Sequence, residues 1–541
     1  MTIRPISIST LSPVHVGCDE VYEPTNFVIH SGLLHVLDPA DLIGDLSDAE
    51  RKQLVSLTDA RDPIGALQRF FRDRSERFAA LAQHQVAVAD AIASEYEKNA
   101  GKPAQRGASG EATYNLFPMA RTAFRPIDNA PYLPGSSLKG SIRTAWLNRA
   151  NGGKPLSDDE RRDKNNAARR LQERLLGYAT GKFENDPFRH IALSDAHSEQ
   201  ERSAPPTRVL YAISKKKRMP RDGERGSPEL KVFLETIPEA LPASFQGELR
   251  LTGKIEWNAL CDACNDFYKP QLAAELSHDV LGALLDPQWT QLIADALANE
   301  LGELISARQG FLLRVGRHSG AESVTLNGLR DIKILGPRVD GKQTSDYRPN
   351  TTEKRFASLT KSGTNDLLPF GWIWVDASND EYRHLSDSLL RKLDARSGAM
   401  REAHSDRLLR ALEVQQQQEA RRAAIDAEKR AAEAAASAAA EARAAREAAL
   451  ATMSPNLRRI EEFVTACALR VEQLRGGKER LQGDFHNRAR KLAQEALEEA
   501  GWTGEEKKAL AEAVVEWLPK VVEKIDKDQL KKLRISNLRS Q

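Results

Sequence analysis

Residues 133–147 of the chain read LPGSSLKGSIRTAWL, and this stretch carries the clearest local structural signal. An aromatic, β-prone run precedes it, and Pro134 and Gly135 mark a tight turn before residues that favour a helix. We therefore predict a strand, a glycine-bracketed turn and a helix. On that helix Lys139 and Arg143 are four residues apart, so their side chains share one face.

The same stretch has the composition of a phosphate-binding turn. Its glycines let another chain approach closely, while the serine hydroxyls and the first free N–H groups of the helix can donate hydrogen bonds. We predict that it contacts an RNA backbone through Gly135, Ser136, Ser137, Lys139, Gly140 and Arg143. The spacing does not match the loop that binds nucleoside triphosphates. An ordinary helix N-terminus after a tight turn explains the same pattern, and the sequence leaves this alternative open.

A second glycine-rich stretch, residues 310–323, reads GFLLRVGRHSGAES. Its basic side chains, Arg314, Arg317 and His318, stand on a backbone that glycines allow to fold under a phosphate or a stacked base. Arg317 and His318 are also candidates for general acid–base chemistry. Because the sequence offers no clear partner carboxylate, we predict RNA binding. A plain strand followed by a turn is the alternative.

Positive charge is concentrated after a predicted strand at residues 209–214. The segment that follows carries Lys215, Lys216, Lys217, Arg218, Arg221 and Arg225. We predict a cationic flap in which Lys215, Lys216 and Arg218 clamp the RNA backbone. A solvated flap without a ligand is equally compatible with this run of charge.

No motif for nucleophilic or metal-assisted catalysis stands out. Cys261 and Cys264 have the spacing of half a zinc site, but a second pair is missing, and His278 is the nearest imidazole. His15, between two valines, is typical of a strand histidine with a satisfied hydrogen bond. The sequence contains no Gly-x-Ser-x-Gly nucleophile motif. We predict no catalytic residue, no metal and no cofactor.

Length and composition set the class of protein. At roughly 150 residues per domain, 541 residues correspond to about three to four domains. Hydrophobic residues make up 40% and charged residues 29%, which is typical of a globular protein. The formal net charge is +2, so only local patches can decide whether the partner is nucleic acid. Four scattered cysteines, without an apolar run of membrane-spanning length or a signal sequence, predict a cytoplasmic protein.

The order of predicted elements indicates an α+β fold. Residues 3–38 read as short strands with a hairpin around Ser31 and Gly32, and residues 41–99 have helical spacing throughout. Residues 102–112 lack periodicity and are predicted to be a flexible loop. Further strands are predicted at 188–195, 209–214, 231–237, 247–251, 311–334 and 368–375, with helical spacing over 149–185 and 257–304.

Beyond about residue 396 the composition changes abruptly. Residues 401–450 contain 19 alanines, nine basic and nine acidic residues, and neither glycine nor proline, which predicts an uninterrupted helix about 75 Å long. Ser454 and Pro455 end it, and residues 456–541 have the spacing of a small all-α module. We predict three parts: an RNA-binding region over 1–395, a long charged Ala-rich helix over 396–453, and a helical C-terminal module over 454–541.

Four stretches resemble a known family. Residues 10–17 (TLSPVHVG), 132–145 (YLPGSSLKGSIRTA), 188–195 (FRHIALSD) and 316–320 (GRHSG) resemble the RAMP superfamily of CRISPR-associated proteins. Their order and spacing are most similar to the fifth Csm subunits of type III-A effector complexes. The resemblance covers about residues 1–390, and residues 134–145 are its most specific part.

The resemblance implies a ferredoxin-like, RRM-like RAMP core with helical insertions. It also implies a non-catalytic CRISPR RNA-binding subunit of a type III effector complex, part of an antiviral defence system. Such a subunit caps the backbone filament near the 3′ end of the guide and aids its maturation. The implied partners are CRISPR RNA, the adjacent backbone RAMP subunit, small helical subunits and recruited host nucleases, with no membrane. By the family pattern, Lys139 and Arg143 would touch the guide backbone, and residues 316–320 would lie close to it.

Two alternatives remain open. The first is a metal-independent RAMP endoribonuclease that processes CRISPR RNA with His15 or His318 and a nearby base. The second is a scaffold whose helical arm organises partners without touching RNA. The arm and the helices beyond residue 456 lie outside the family pattern, and the helices resemble the small helical subunits of these complexes in size.

Overall fold

The computed structural model describes residues 2–60, 62–106, 112–114, 116–163, 165–198, 206–219, 232–253, 255–339, 341–377 and 385–540. The chain divides into two compact units, residues 1–419 and 420–541. The first unit is a mixed α/β structure and the second is helical.

The strands are given in chain order. They are β1 (Thr2–Thr10), β2 (Gly17–Tyr22), β3 (Phe27–His30), β4 (Leu33–Val36), β5 (His84–Val88), β6 (Pro103–Arg106), β7 (Ala112–Tyr114), β8 (Met119–Thr122), β9 (Ile191–Leu193), β10 (Arg208–Lys216), β11 (Phe233–Thr236), β12 (Leu241–Leu251), β13 (Gly310–Arg314), β14 (Ile332–Val339), β15 (Lys342–Arg348), β16 (Glu353–Ser358), β17 (Leu368–Pro369) and β18 (Trp372–Ala377).

The helices follow in the same order. They are α1 (Pro39–Asp45), α2 (Asp48–Thr58), α3 (Pro63–Arg72), α4 (Ser75–Ala79), α5 (Asp90–Asn99), α6 (Gly135–Asn151), α7 (Asp158–Arg162), α8 (Ala167–Leu176), α9 (Trp257–Leu276), α10 (Pro287–Ala298), α11 (Glu300–Ser306), α12 (Ala321–Val324), α13 (Asp387–Thr452), α14 (Pro455–Leu474), α15 (Asp484–Glu498), α16 (Gly504–Val521), α17 (Lys527–Lys532) and α18 (Ile535–Arg539).

The first sheet is antiparallel and has the strand order β13-β18-β1-β12-β9. The central strand β1 pairs through Ile6 with Gly247 of β12 and with Ala377 of β18. Helices α6 and α9 pack against this sheet and against each other. The Tyr268 hydroxyl of α9 donates to the carbonyl oxygen of Ser141 in α6 at 3.0 Å, which fixes the two helices relative to each other.

The second sheet has the order β2-β8-β11-β10-β5-β4-β3, and β16 and β17 extend it from β10. Its core side includes the rings of Phe117 and Phe233, which stack with centroids 5.9 Å apart. Both sheets contribute to one hydrophobic core. The two sheets therefore form the framework of the first unit. Burial of apolar side chains between the first sheet and helices α6 and α9 holds these helices on the sheet.

The structure differs from the sequence prediction at several places, among them the predicted strand 311–334, where β13 ends at Arg314 and a short helix, α12, precedes β14. The prediction of helix throughout 41–99 is wrong at 84–88, because β5 pairs with β4 and β10. The predicted loop 102–112 includes β6, which pairs with β7. In the predicted strand 188–195 only Ile191–Leu193 is extended, because Pro187 starts a 3-10 turn that continues to His190. In the last three cases pairing or a proline outweighs the local pattern.

Helix α13 runs for 66 residues, and its buried side chains are confined to its first part: Leu389, Leu393, Ser397 and His404. Beyond it the Ser454 hydroxyl accepts the N–H of Leu457 at 3.2 Å and caps α14. Helices α14 to α18 enclose a core of their own. Among the described residues, no helix is both long enough and apolar enough to cross a membrane.

Candidate nucleic-acid interface

The first turn of α6 is built around Gly135. An added Cβ there would lie 2.4 Å from the carbonyl oxygen of Leu193, so only glycine lets the helix sit on the backbone after β9. The Gly135 N–H donates to Asp195 Oδ1 at 2.8 Å. A carboxylate of the chain thus already occupies one of the free N–H groups predicted to receive phosphate, and the glycine is explained by packing.

The next residues of α6 face solvent. Ser136 and Gly140 are exposed, Ser137 and Lys139 are half-buried, and a Cβ at Gly140 would meet nothing within 4 Å. No hydrogen bond or ion pair engages the Lys139 ammonium within the described part of the chain. This face offers hydroxyls, one uncommitted cation and close access at a glycine, which are the features that a phosphate backbone requires.

Arg143 is on the same helix but is committed to the protein. Its Nη1 lies 3.0 Å from Asp186 Oδ2, and its Nε donates to Gln172 Oε1 at 3.2 Å. The guanidinium carbon also lies 4.9 Å from the centroid of the Phe188 ring. Arg143 therefore ties α6 to α8 and to the turn before β9, with its side chain 24% exposed.

Arg314 lies in the core. Its side chain is 2% exposed, forms an ion pair with Glu275, and donates from Nε to the carbonyl oxygen of Phe370 at 2.9 Å. The Ser141 hydroxyl of α6 donates to the Arg314 carbonyl oxygen at 2.9 Å. The main chain of Arg314 thus joins β13 to α6, while its guanidinium is buried and paired with Glu275.

The loop after β13 packs on the loop after β1. Gly316 has φ +79°, and an added Cβ would lie 2.2 Å from the carbonyl oxygen of His15. The Arg317 N–H donates to that same oxygen at 2.8 Å. The Arg317 side chain is exposed and has no partner among the described residues, whereas the His318 ring packs 5.5 Å from the Phe370 ring. Of the three predicted residues in this stretch, Arg317 is the one that presents charge to solvent.

Both histidines near this loop are neutral at pH 7. His15 is fully buried, and its Nδ1–H donates to the carbonyl oxygen of Glu235 at 2.7 Å. Burial lowers the pKa of His15 to about 4, and burial together with Arg355, Arg317 and His15 lowers the pKa of His318 to about 3. Neither ring contributes positive charge, and the His15 ring has no path to an external phosphate.

The cationic run after residue 214 begins inside β10, which ends at Lys216. Lys215 and Lys216 are strand residues, and Lys215 Nζ donates to the carbonyl oxygen of Ser362 at 3.0 Å. Lys216 is half-buried and Arg218 is exposed, with its Nη1 donating to the carbonyl oxygen of Met219 at 3.1 Å. Arg221 and Arg225 lie outside the described residues.

Main-chain hydrogen bonds join the stretches that carry the family resemblance. The Val16 oxygen accepts from Ala123, and the Ala123 oxygen accepts from Tyr132. Leu133 and Ala196 exchange a reciprocal pair at 3.0 and 2.9 Å. Together with the contact between Arg317 and His15, and the bond from the Gly135 N–H to Asp195, these bonds bring residues 10–17, 132–145, 188–195 and 316–320 into one network.

Several partners in this network were not predicted from the sequence. Asp186 and Gln172 hold Arg143, and Glu275 holds Arg314, but each lies 29 or more residues from its arginine, and no local pattern links them. Cys261 and Cys264 are buried in α9, where burial raises the pKa of both thiols. No group of three or more metal-ligating side chains occurs among the described residues.

Comparison with known proteins gives a match to a family model and a sequence match to part of a curated protein. A model of the RAMP superfamily matches residues 7–399. Over 143 residues the chain is 26% identical to the CRISPR system Cms protein Csm5 of Methanocaldococcus jannaschii, a match that spans 26% of this chain and 30% of that protein. The aligned part is thus less than a third of this curated relative.

Two solved structures are also similar. One chain in the cryo-EM structure of a Csm-crRNA-target RNA ternary complex of a type III-A CRISPR-Cas system is 17% identical, with a TM-score of 0.36 and coverage of 70% of this chain and 100% of that chain. The crystal structure of Csm5 from T. onnurineus is 15% identical, with a TM-score of 0.34 and coverage of 68% and 99%.

Proposed function

This chain belongs to the RAMP superfamily, and from that we propose that it is a non-catalytic CRISPR RNA-binding subunit of a type III effector complex. In this proposal it caps the backbone filament near the 3′ end of the guide and aids maturation of that end. The partial sequence identity to an archaeal Csm5 supports a role in a Csm-type complex. The adjacent backbone RAMP subunit and recruited nucleases are its proposed neighbours, in the cytoplasm.

The observation that carries the proposal is the pair of uncommitted cations on two joined segments. Lys139 lies on α6, and Arg317 follows β13 by three residues. The bond from the Ser141 hydroxyl to the Arg314 carbonyl holds these segments together. Side chains without internal partners are available to neutralise phosphates, and such contacts fix an RNA strand without reading its sequence.

The order of elements supports a ferredoxin-like core within residues 1–395. Taken in chain order, β1, α6, β9, β12, α9 and β18 follow the βαββαβ pattern, with the four strands arranged as β18-β1-β12-β9. In this proposal the segment from β2 to β8 and the strand β13 are additions to that core. The four-stranded sheet is also the platform used by RRM proteins to bind RNA.

We assign separate roles to the remaining parts. The long charged Ala-rich helix, residues 396–453, acts as an arm, and the C-terminal helices, residues 454–541, act as a module that takes the place of, or contacts, the small helical subunits. The almost complete exposure of α13 after His404 supports the arm, and the separate core of α14 to α18 supports the module.

A filter-binding titration of the full-length chain with single-stranded CRISPR RNA, and with an unrelated RNA of equal length, tests the proposal at two salt concentrations. We expect similar affinity for both RNAs and weaker binding at the higher salt concentration, because phosphate contacts release counterions. Absence of RNA binding, or an affinity that does not change with salt, contradicts the proposal.

A further inference from the structure

A cavity of about 410 Å³ lies where α9, the end of β10, the segment from β13 to Arg330, and β16 meet. Its charged lining residues come from all of these segments and are Lys217, Glu275, Arg314, Glu322, Arg330 and Lys354. The volume is within the range of small-ligand sites. The cavity contains Lys217 of the cationic run and Arg314 of the second glycine-rich stretch, neither of which belongs to the exposed face of α6.

The lining carries more positive than negative charge. Glu275 forms ion pairs with both Arg314 and Lys354, and Lys217 Nζ lies 2.6 Å from Glu322 Oε1. Arg330 donates to the carbonyl oxygen of Glu322 at 3.0 Å rather than to a carboxylate. Burial, together with the nearby charge of Lys217, lowers the pKa of Lys354 to about 7, so this lysine is partly protonated near neutral pH. Lys217, Arg314, Arg330 and the partly charged Lys354 thus face two carboxylates, an excess of one to two positive charges. Burying unbalanced charge is costly, so the cavity favours an anionic ligand.

One residue that lines the cavity has a buried donor without a partner. Arg314 Nη2 is buried and makes no hydrogen bond within the described part of the chain, although the Arg314 side chain is only 2% exposed. Buried polar groups are nearly always satisfied in proteins. Burial lowers the pKa of Arg314 to about 9, which leaves it cationic near neutral pH, so its charge favours an anion in the cavity that it lines.

Part of the lining is apolar. Phe267, Pro270, Leu281 and Phe356 line the same cavity as the charged groups. Pro270 is exposed, as is Asn327 at the rim, so the cavity reaches the surface. A ligand that combines a charged group with a flat apolar ring matches a lining that contains both kinds of side chain.

We propose that the cavity binds a nucleotide through a phosphate monoester, with the phosphate among Lys217, Arg314 and Lys354 and the base against the apolar wall. A phosphate monoester carries about −1.5 to −2 charge at pH 7, which balances the excess positive charge, whereas an internal phosphodiester carries about −1. The same group occurs in a free nucleotide and at a phosphorylated end of an RNA strand. The assignment of a phosphorylated RNA end as the ligand rests on the proposed function.

Isothermal titration calorimetry of the full-length chain with AMP, and with adenosine as the matched ligand without phosphate, tests the site. We expect saturable AMP binding and at least about tenfold weaker adenosine binding, the loss typical of a charge-assisted hydrogen bond. No saturable AMP binding, or equal affinity for AMP and adenosine, overturns the proposal.

Variants locate the bound nucleotide. Lys354→Met and Lys217→Met should each weaken AMP binding about tenfold or more, while Lys361→Met, at an exposed lysine outside the cavity, should leave it unchanged. A thermal melt checks that each variant is folded, and Lys217, which is more exposed than Lys354, provides the milder change. Unchanged AMP affinity in a folded Lys217→Met or Lys354→Met chain overturns the assignment.

A competition experiment distinguishes a free nucleotide from a phosphorylated RNA end as the ligand of the cavity. RNA decamers of one sequence, with a 3′-phosphate, a 5′-phosphate or hydroxyls at both ends, are added against AMP. If only a phosphorylated decamer displaces AMP, the ligand is the phosphorylated end of an RNA strand. If no decamer displaces AMP, the ligand is a free nucleotide. Equal displacement of AMP by all three decamers overturns the requirement for a phosphate monoester. Salt-sensitive RNA binding without AMP binding would refute the cavity while leaving the proposed function intact.

Discussion

The N–H of Arg317 donates to the carbonyl oxygen of His15 at 2.8 Å, which joins the loop after β13 to the loop after β1. A third segment meets them, because the Gly371 N–H donates to the carbonyl oxygen of Pro13 at 2.8 Å. Two of the stretches that resemble the RAMP superfamily are therefore contact partners. The geometry of the loop carrying Arg317 depends on the main chain of residues 13–15.

Gly316→Ala should destabilise the chain, because a Cβ would lie 2.2 Å from the His15 oxygen at a backbone with φ +79°. We expect a loss of about 1–3 kcal/mol or more in the free energy of unfolding, measured by urea denaturation. Gly140→Ala is the matched control, since its Cβ meets nothing within 4 Å. It should stabilise α6 by about 0.5–1 kcal/mol. Equal effects of the two substitutions would contradict this account.

Lys139→Ala and Arg317→Ala should each weaken RNA binding and lower the slope of log affinity against log salt by about one, because each removes one phosphate contact. Filter binding over a salt series measures both quantities. Lys98→Ala, at an exposed lysine of α5, should change neither. Wild-type affinity and slope in the double variant would favour the scaffold alternative.

Arg143 and Asp186 should behave as a coupled pair in the folded chain. Their side chains are 24% and 12% exposed and their charged atoms lie 3.0 Å apart. A double-mutant cycle with Arg143→Ala and Asp186→Ala, followed by urea denaturation, should give a coupling energy of about 0.5–3 kcal/mol. Strictly additive losses would show that the pair contributes nothing, and would leave Arg143 available for the predicted contact with RNA.

Stability should fall as the pH drops from about 6.5 to 4. Burial lowers the pKa of His15, His35 and His84 to about 4, below the ordinary histidine value of 6.5. In that range the unfolded chain binds protons that the folded chain does not, so unfolding becomes more favourable at lower pH. The pKa values of Glu50 and Glu322 are lowered to about 2, so in the folded chain these carboxylates lose their charge only at a lower pH than this range. A Tm that stays flat or rises between pH 6.5 and 4.5 would contradict this expectation.

The purified chain should not cleave CRISPR RNA. The His15 ring is fully enclosed, and burial keeps it and His318 neutral near pH 7. Labelled RNA incubated with the wild-type chain, His15→Ala or His318→Ala should remain intact in all three reactions. Cleavage by the wild-type chain that either substitution abolishes would instead establish the endoribonuclease alternative.

Local signals in the sequence were sufficient for the turn and helix at α6 and for the long helix α13. Pro134 and Gly135 precede an uninterrupted helical run, and the alanine content after residue 401 favours a helix in almost any context. The hairpin of β3 and β4 around Ser31 and Gly32 is confirmed for the same reason. These elements are specified by neighbouring residues.

The positions of the side chains depend on residues that are distant in the sequence, so they were harder to predict from local patterns. The stretch 310–317 contains two arginines, and only tertiary packing sends Arg314 to Glu275 in the core while Arg317 stays exposed. Gly135 signals a close approach, but the approaching group is the backbone of β9. The cavity has the same origin, since its charges come from four segments separated along the chain.

The central position of β1 affects synthesis of the protein. Strand β1 leaves the ribosome before either of its partners, because one edge pairs with β12, which ends at Leu251, and the other with β18, which ends at Ala377. At roughly 5–20 residues per second, the second partner is translated on the order of tens of seconds after the strand itself. During that interval β1 has an unpaired edge that can associate with other chains. Expression yield is therefore expected to depend on chaperones that shield nascent polypeptides until residue 377 has emerged.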